Sequence, residues 1–153
     1  MLDAGENAPE FTLPQDGGED VTLSSLRGTP VVLYFYPKDD TSGCTKEAIA
    51  FTEALPEFDA LGVKILGVSK DTVAKHAKFR AKYELGVGLL ADEDGAVCEA
   101  YGVWVEKQMY GKTYMGIERA TFLIDADGKL AKVWRKVKVP GHAEAVLEAA
   151  KAL

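Results

Sequence analysis

The chain has 153 residues, the usual size of one domain, and its 47% hydrophobic and 27% charged residues exclude a disordered or fibrous protein. With 18 Lys and Arg against 24 Asp and Glu, the net charge of −6 argues against binding to nucleic acid or to an anionic membrane. The longest apolar run, residues 31–36, is far shorter than the roughly 20 residues that span a bilayer. We therefore expect a single domain over 1–153 with no membrane or nucleic-acid partner.

The apolar pattern predicts strands that alternate with helices. In chain order we predict strands over 11–13, 21–23 and 31–36, a helix over 44–61, a strand over 63–68, a helix over 72–83, a strand over 89–91, a short helix over 95–101, a hairpin of strands 120–124 and 130–139, and a helix over 143–153. Pro56 predicts a kink or an early end of its helix, and Asp71 or Thr72 is the expected N-cap of the next one. Strands separated by helices indicate an α/β fold with a mixed central sheet flanked by helices.

The two cysteines, Cys44 and Cys98, are too few for a disulfide framework. Residues 1–6 carry neither the basic nor the apolar part of a secretory signal, although a mature chain that had lost its signal would look the same. We therefore expect a cytoplasmic protein in which both cysteines are thiols at rest. A reducing compartment favours a chemical role for such cysteines over a structural one.

Cys44 is the strongest catalytic candidate. It follows the apolar strand and the polar loop 37–43, and it lies in the first turn of the next helix. Unpaired N–H groups and the positive end of the helix dipole stabilise a thiolate at such a position, and Gly43 allows a close approach of the backbone. The alternative is a small buried hydrophobe at a helix start, for which this polar loop offers little apolar company.

The neighbours of Cys44 argue against most other thiol chemistries. A dithiol oxidoreductase needs a second cysteine three residues later, where Glu47 stands, and a cysteine phosphatase needs an arginine six residues later, where Ala50 stands. A cysteine protease needs a histidine base, but His76 and His142 are expected to be surface or helix residues. A single activated thiol remains.

Pro37, Thr41 and Cys44 form the pattern Pro-x-x-x-Thr-x-x-Cys, which resembles the active-site motif of the peroxiredoxins. The segment YFYPKDDTSGCTKE at 34–47 is similar to the bacterioferritin-comigratory-protein (PrxQ) branch of that family. The likeness extends over nearly the whole chain through the segments 5–11, 89–95, 101–104, 111–114 and 119–125. The resemblance implies a thioredoxin-like fold and a thiol-dependent peroxidase that reduces hydrogen peroxide and organic hydroperoxides.

The resemblance also implies roles for individual residues. Cys44 corresponds to the peroxidatic cysteine, Thr41 and Arg119 to its active-site partners, and Pro37 to the proline that shields it. Lowering a thiol pKa from about 8.5 to about 6 raises the thiolate fraction at pH 7 roughly 30-fold. The less basic thiolate is also less nucleophilic, which cancels about tenfold of that gain. Most of the rate must therefore come from holding the peroxide, for which Arg119 offers a fixed fork of donors. Glu47 is expected to be a plain acid in the first helical turn, with a contact to an arginine or a threonine as the alternative.

Cys98 decides whether the catalytic cycle uses one cysteine or two. Many members of the branch carry a resolving cysteine five residues after the peroxidatic one, where Ile49 stands here, and others carry it in the next helix, where 72–83 has none. We therefore expect a structural role for Cys98 and an external reductant, thioredoxin or another small thiol. A two-cysteine cycle through Cys98 is the alternative.

The same residues leave other functions and partners open. A peroxide sensor that oxidises once without turnover is the alternative from another class, and a thioredoxin-type reductase is a weaker one. Cys44, His76, Cys98 and His142 lack the spacing of a zinc site, so we expect neither a metal nor a cofactor. We expect a monomer, with a weak dimer as the alternative. The apolar residues between 104 and 115 are either a partner surface or the rim of a pocket.

Overall fold

The fold is described from a computed structural model, which covers residues 2–153. Its strands and helices, in chain order, are β1 (Thr12–Leu13), β2 (Val21–Thr22), a 3-10 turn (Leu23–Leu26), β3 (Val31–Phe35), α1 (Ser42–Ala60), β4 (Lys64–Ser69), α2 (Val73–Tyr83), β5 (Gly88–Ala91), α3 (Ala96–Ala100), β6 (Trp104–Met109), β7 (Lys112–Ile117), β8 (Ala120–Ile124), β9 (Leu130–Trp134) and α4 (His142–Lys151). No helix within 2–153 is long and apolar enough to cross a membrane.

A five-stranded sheet of order β5-β4-β3-β8-β9 forms the centre of the molecule. Strand β3 is parallel to β4 on one side and antiparallel to β8 on the other, so the sheet is mixed, as predicted. All five residues of β3 are buried, as expected for a central strand covered on both faces. The predicted α/β architecture is confirmed.

The two faces of β3 belong to two separate hydrophobic cores. Val32 and Tyr34 face the core that contains Cys44 and the apolar sides of α1, α2 and α4. Leu33 and Phe35 face the core formed with α3 and the N-terminal strands. Because successive side chains of a strand point to opposite faces, the sheet separates these two cores.

Several element boundaries differ from the prediction. Helix α1 continues through Pro56 to Ala60, because Phe51 and Phe58 on either side of the proline are fully buried and hold the helix against the sheet. Strand β9 ends at Trp134 rather than 139, since Lys136 has a positive φ of 48° that an extended strand does not allow. Thr72 is confirmed as an N-cap, with its side chain accepting a hydrogen bond from the Lys75 N–H.

The hairpin of β6 and β7 was not predicted from the sequence. Its turn is Tyr110-Gly111, and both residues have positive φ angles, 52° and 76°. Such a two-residue turn matches the twist of the two strands, but it usually shows as Asn-Gly or Asp-Gly. Because tyrosine stands where asparagine or aspartate is usual, the turn is not recognisable from the sequence. The hairpin carries the apolar residues that could not be assigned from the sequence.

Candidate active site

Cys44 lies in the first turn of α1, immediately after the loop that follows β3. Thr41 is the N-cap of this helix, with an extended backbone, and its carbonyl accepts the Thr45 N–H at 2.9 Å. The Cys44 side chain is only 1% exposed, in contact with the core on the Tyr34 face of the sheet. The sequence therefore placed Cys44 correctly at a helix start, although it is far more buried than the polar loop suggests.

Arg119 reaches Cys44 because of the way β8 pairs with β3. Ala120, the first residue of β8, lies opposite Phe35, the last residue of β3, so Arg119 is brought to the strand end from which the Cys44 loop departs. Its Nη2 donates a hydrogen bond to Cys44 Sγ at 3.3 Å. A Cβ at Gly43 would lie 3.2 Å from this same Nη2, so the glycine makes room for the guanidinium.

Glu47 holds the other nitrogen of the guanidinium and is not the plain surface acid that the sequence suggested. It is 1% exposed, and its Oε1 accepts a hydrogen bond from Arg119 Nη1 at 2.7 Å. Burial raises the pKa of Glu47 to about 7, and the opposing effect of Arg119 is smaller. Burial disfavours the charge on Arg119, but Glu47 and Cys44 outweigh it, and the pKa of Arg119 is raised. The pair fixes the direction of the guanidinium toward the sulfur.

Thr41 and Pro37 lie in the segment between β3 and Cys44. The Thr41 hydroxyl donates to the Lys38 carbonyl at 2.9 Å, and the side chain is exposed. This bond uses the hydroxyl proton, so the oxygen presents its lone pairs to the solvent side. Pro37 is half-buried and directly follows Tyr36, at the end of the apolar segment.

A buried polar network fixes the loop, and sequence reasoning missed it. His76 Nδ1 lies 2.6 Å from Asp39 Oδ2, and Tyr36 donates its hydroxyl to Asp39 Oδ1 at 2.6 Å. His76 Nε2 lies 2.8 Å from the Leu90 carbonyl, which can only accept, so Nε2 is the protonated nitrogen there. Burial opposes the charged histidine, but Asp39 outweighs it and raises the pKa of His76.

One further buried contact belongs to this network, and an exposed ion pair lies next to it along the chain. Asp71 Oδ2 accepts the Asp39 N–H at 2.8 Å, while the exposed Asp40 accepts Lys82 Nζ at 2.8 Å. Asp39 and Asp71 follow the parallel strands β3 and β4, whose carboxyl ends meet at one edge of the sheet. The positions of Asp39 and Asp71 after two predicted strands could have indicated from the sequence that they lie close together. His76, expected to be a surface or helix residue, is a helix residue with 0% exposure.

Cys98 lies on the other side of the sheet from Cys44. It belongs to the core on the Phe35 face, is 0% exposed, and its N–H donates to Asp92 at 2.8 Å. Burial raises the pKa of the Cys98 thiol, and Asp92 adds to the effect. Both cysteines are free thiols. The structure therefore does not bring the two sulfurs together.

In the part of the chain that the structure describes, His142 makes its side-chain hydrogen bond to Thr121 and none to Cys44. Its Nε2 lies 2.7 Å from the Thr121 hydroxyl, and burial lowers its pKa to about 4. Expected to be a surface or helix residue, His142 is the first residue of α4 and is buried. Among residues 2–153, no group of three or more His, Cys, Asp and Glu side chains could hold a metal ion.

Comparisons with known proteins show the family to which the chain belongs. The AhpC/TSA family profile matches residues 4–133. A putative peroxiredoxin bcp of Coxiella burnetii is 53% identical over 95% of this chain and 97% of its own length. The peroxiredoxin Bcp of Escherichia coli is 47% identical over 95% and 94% of the two chains.

Solved structures give the same result. A structure of the Xanthomonas campestris bacterioferritin comigratory protein, studied for its alkyl peroxide reduction activity, has a TM-score of 0.91 at 49% identity and 98% coverage of both chains. BcpB of Mycobacterium tuberculosis has a TM-score of 0.88 at 35% identity, covering 100% of this chain and 99% of its own. The chain therefore belongs to the AhpC/TSA family, among the peroxiredoxins of the Bcp type, with a thioredoxin-like fold and the activity of a thiol-dependent peroxidase.

Proposed function

We propose that Cys44 is the residue that reduces the peroxide, with Arg119 and Thr41 stabilising the transition state and Pro37 shielding the sulfur. The observation that carries the assignment is the hydrogen bond from Arg119 Nη2 to Cys44 Sγ at 3.3 Å. The guanidinium places a positive charge beside the sulfur that attacks the peroxide, and the thiolate is the nucleophilic form of a cysteine. Glu47 holds the opposite nitrogen, so the guanidinium cannot turn away.

The reaction needs little more than correct placement of two oxygens. The Cys44 thiolate attacks the terminal oxygen of R–O–OH in line, a sulfur–oxygen bond forms, the oxygen–oxygen bond breaks, and the leaving RO⁻ takes up a proton to become an alcohol or water. Negative charge moves from sulfur to the leaving oxygen during this step. Arg119 follows that charge with donors already in place, and the Thr41 oxygen accepts a hydrogen bond from the attacked hydroperoxide.

The position of Cys98 supports a one-cysteine cycle. Resolution by Cys98 requires its Cα to approach that of Cys44 to within about 7 Å with both sulfurs facing each other. The sheet lies between the two side chains, and Cys98 has no exposed surface. An external thiol, either thioredoxin or another small thiol, therefore reduces the Cys44 sulfenic acid.

The substrates in this proposal are hydrogen peroxide and organic hydroperoxides, since the reaction is centred on the O–OH group common to both. The relative from Xanthomonas campestris, with its alkyl peroxide reduction activity, supports the second class. We further propose that the protein works in the cytoplasm as a single domain and a monomer. A non-enzymatic sensor using the same sulfenic acid is the second candidate.

Peroxide consumption in the presence of excess dithiothreitol tests the assignment. Wild type and Cys98→Ala should both consume many equivalents of hydrogen peroxide, whereas Cys44→Ser should consume none above the uncatalysed rate. A wild-type protein that consumed one equivalent and then stopped would favour the sensor. A Cys98→Ala variant that stopped after one equivalent would contradict the one-cysteine cycle.

A further inference from the structure

A groove beside Pro37 differs in charge from the rest of this acidic protein. It encloses about 400 Å³ between the loop after β3, the start of α2 and the β6–β7 hairpin. Four lysines line it, namely Lys38, Lys70, Lys75 and Lys107, against the single acid Asp71. The net charge of the whole chain is −6, so this concentration of positive charge is local.

The lysines of the groove have no acidic partners. Within residues 2–153, none of the four takes part in an ion pair. Lys70 lies instead over the ring of Trp104, with Nζ 4.2 Å from the ring centroid. Asp71 already accepts hydrogen bonds from the Asp39 N–H and the Ser69 hydroxyl. The first turn of α2 adds the positive end of a helix dipole. The groove is thus suited to an anion.

The groove adjoins the loop that carries Cys44, since Pro37 and Lys38 line it and the Lys38 carbonyl accepts a hydrogen bond from the Thr41 hydroxyl at 2.9 Å. Lys107 lines the groove from the β6–β7 hairpin. Its side chain crosses Gly116, where an added Cβ would lie 3.2 Å from Lys107 Cδ. Burial and the charge of Arg119 lower the pKa of Lys107, while the charge of Cys44 acts in the opposite direction. An anion bound among these lysines would be held beside the loop that carries Cys44.

We propose that this groove binds the carboxylate of a low-molecular-weight thiol that reduces the Cys44 sulfenic acid. The inference rests on the proposed one-cysteine function, which requires an external reductant. Hydrogen peroxide is neutral and gains nothing from the lysines, whereas a thiol attacks as its thiolate. A carboxylate-bearing thiol is then anionic at both ends, and Trp104 and Met115 offer apolar surface to its carbon body.

The reduction takes place in two thiol steps. The thiolate RS⁻ attacks the sulfur of Cys44–SOH, a disulfide bond forms, and the hydroxide that leaves takes up a proton to become water. A second thiolate attacks the R-side sulfur of Cys44–S–SR, which releases RSSR and restores the Cys44 thiolate. Two thiols are oxidised to one disulfide, and the sulfenic acid is reduced to the thiolate. The positive groove favours the first step by raising the local concentration of thiolate.

Double-mixing kinetics tests the proposal. The full chain is first oxidised with one equivalent of hydrogen peroxide and then mixed at low salt with 3-mercaptopropionate, 2-mercaptoethanol or cysteamine, which are anionic, neutral and cationic. Formation of the mixed disulfide is followed by intact mass, and rate constants are expressed per thiolate present. We expect the anionic thiol to react about tenfold faster than the neutral one, the cationic thiol to be slowest, and the difference to shrink as salt is added.

Lys107→Gln should lower, several-fold, the ratio of the rate constant for the anionic thiol to that for the neutral thiol. This ratio is measured within one preparation, so it does not depend on the amount of active protein. Lys112→Gln is the matched control, because Lys112 is exposed on the same hairpin outside the groove, and it should keep the wild-type ratio. Equal rate constants for the three thiols would overturn the proposal. The proposal would also be overturned if a charge preference appeared only with a carboxylate-bearing hydroperoxide in place of hydrogen peroxide, because the lysines would then act on the peroxide and not on the thiol. Failure of the first mix to oxidise Cys44 would overturn the proposed function, and this inference with it.

Discussion

Nδ1 of His76 lies 2.6 Å from Oδ2 of Asp39, and this contact joins helix α2 to the loop that carries the active site. Both side chains are buried, and Tyr36 and Asp71 hold Asp39 from two other directions. The loop between β3 and α1 is therefore anchored from outside the active site. This anchor fixes the path of the chain from Pro37 to Cys44.

Replacing His76 should loosen that loop. His76→Ala leaves the Asp39 carboxylate buried without its strongest partner, and breaking a buried ion pair in this way costs about 3–5 kcal/mol. We expect a loss of that size in urea unfolding and a slower oxidation of Cys44 by hydrogen peroxide. Lys78→Ala, an exposed change on the same helix, should leave both quantities near the wild-type values. Unchanged stability in His76→Ala would mean that the loop does not depend on this contact.

Arg119 is predicted to contribute to the transition state through its geometry as well as its charge. Arg119→Ala should slow the oxidation of Cys44 by about 10²–10³-fold, the effect of removing one preorganised donor. Arg119→Lys should recover little of this loss, because an ammonium group lacks the planar fork that contacts Cys44 and Glu47 together.

The measurement for these arginine variants is the second-order rate constant for hydrogen peroxide from rapid mixing. Arg135→Lys is the control, since Arg135 pairs with Glu118 outside the site. If Arg119→Ala reacted at the wild-type rate, the mechanism would be wrong even though the protein remained a peroxidase.

Gly43 provides a test of the same contact from the opposite side. A Cβ added at Gly43 would lie 3.2 Å from Arg119 Nη2, closer than such contacts normally are, while the backbone there is helical and accepts alanine. We expect Gly43→Ala to keep the fold and to slow peroxide reduction about tenfold by displacing the guanidinium. Circular dichroism checks the fold, and rapid mixing measures the rate. A wild-type rate would show that the guanidinium position is not critical.

Glu47 should make the stability of the protein depend on pH. Its pKa is about 7 in the folded protein against 4.5 as the ordinary value, because of burial. The folded state therefore binds more protons than the unfolded state between these two values. The contribution of Glu47 to the stability of the folded state is therefore fully present below about pH 4.5 and is lost as the pH rises through about 7.

Urea unfolding of wild type and Glu47→Gln from pH 4.5 to 7.5 measures this effect. The glutamine keeps an oxygen that accepts from Arg119 but cannot titrate. We expect the free energy of unfolding of wild type to fall relative to that of Glu47→Gln as pH rises. A difference that stays constant, or that grows in favour of wild type, would contradict the raised pKa.

The sequence predicted the framework of the site but not its supporting contacts. The spacing of Pro37, Thr41 and Cys44 is local, so the family motif can be read directly from the sequence, whereas Arg119 is a candidate only through the family resemblance of segment 119–125. For Glu47 the expectation of a plain acid is wrong and the alternative of a contact with an arginine is what the structure has, because α1 turns this side chain inward against Arg119. Local patterns specify elements and their order, whereas burial of an acid depends on the register between distant strands.

The same limit applies to the more distant parts of the chain. His76 and Asp39 are separated by a helix and a strand, and only the parallel pairing of β3 and β4 brings them together. The hairpin that lines the basic groove was missed because its turn is Tyr110-Gly111. The role expected for Cys98 depended on a distance between two cores, which a single sequence does not contain.

The intact mass of the fully reduced protein, seconds after one equivalent of hydrogen peroxide, tests the central claim most directly. We predict a gain of one oxygen, trapped on Cys44 by a sulfenic-acid reagent, with Cys98 still reactive toward an alkylating agent after unfolding. A loss of two hydrogens, with Cys44 and Cys98 joined in one peptide pair, would contradict the one-cysteine cycle and make Cys98 the resolving residue. An unchanged mass would contradict the assignment of Cys44 as the peroxide-reducing thiol.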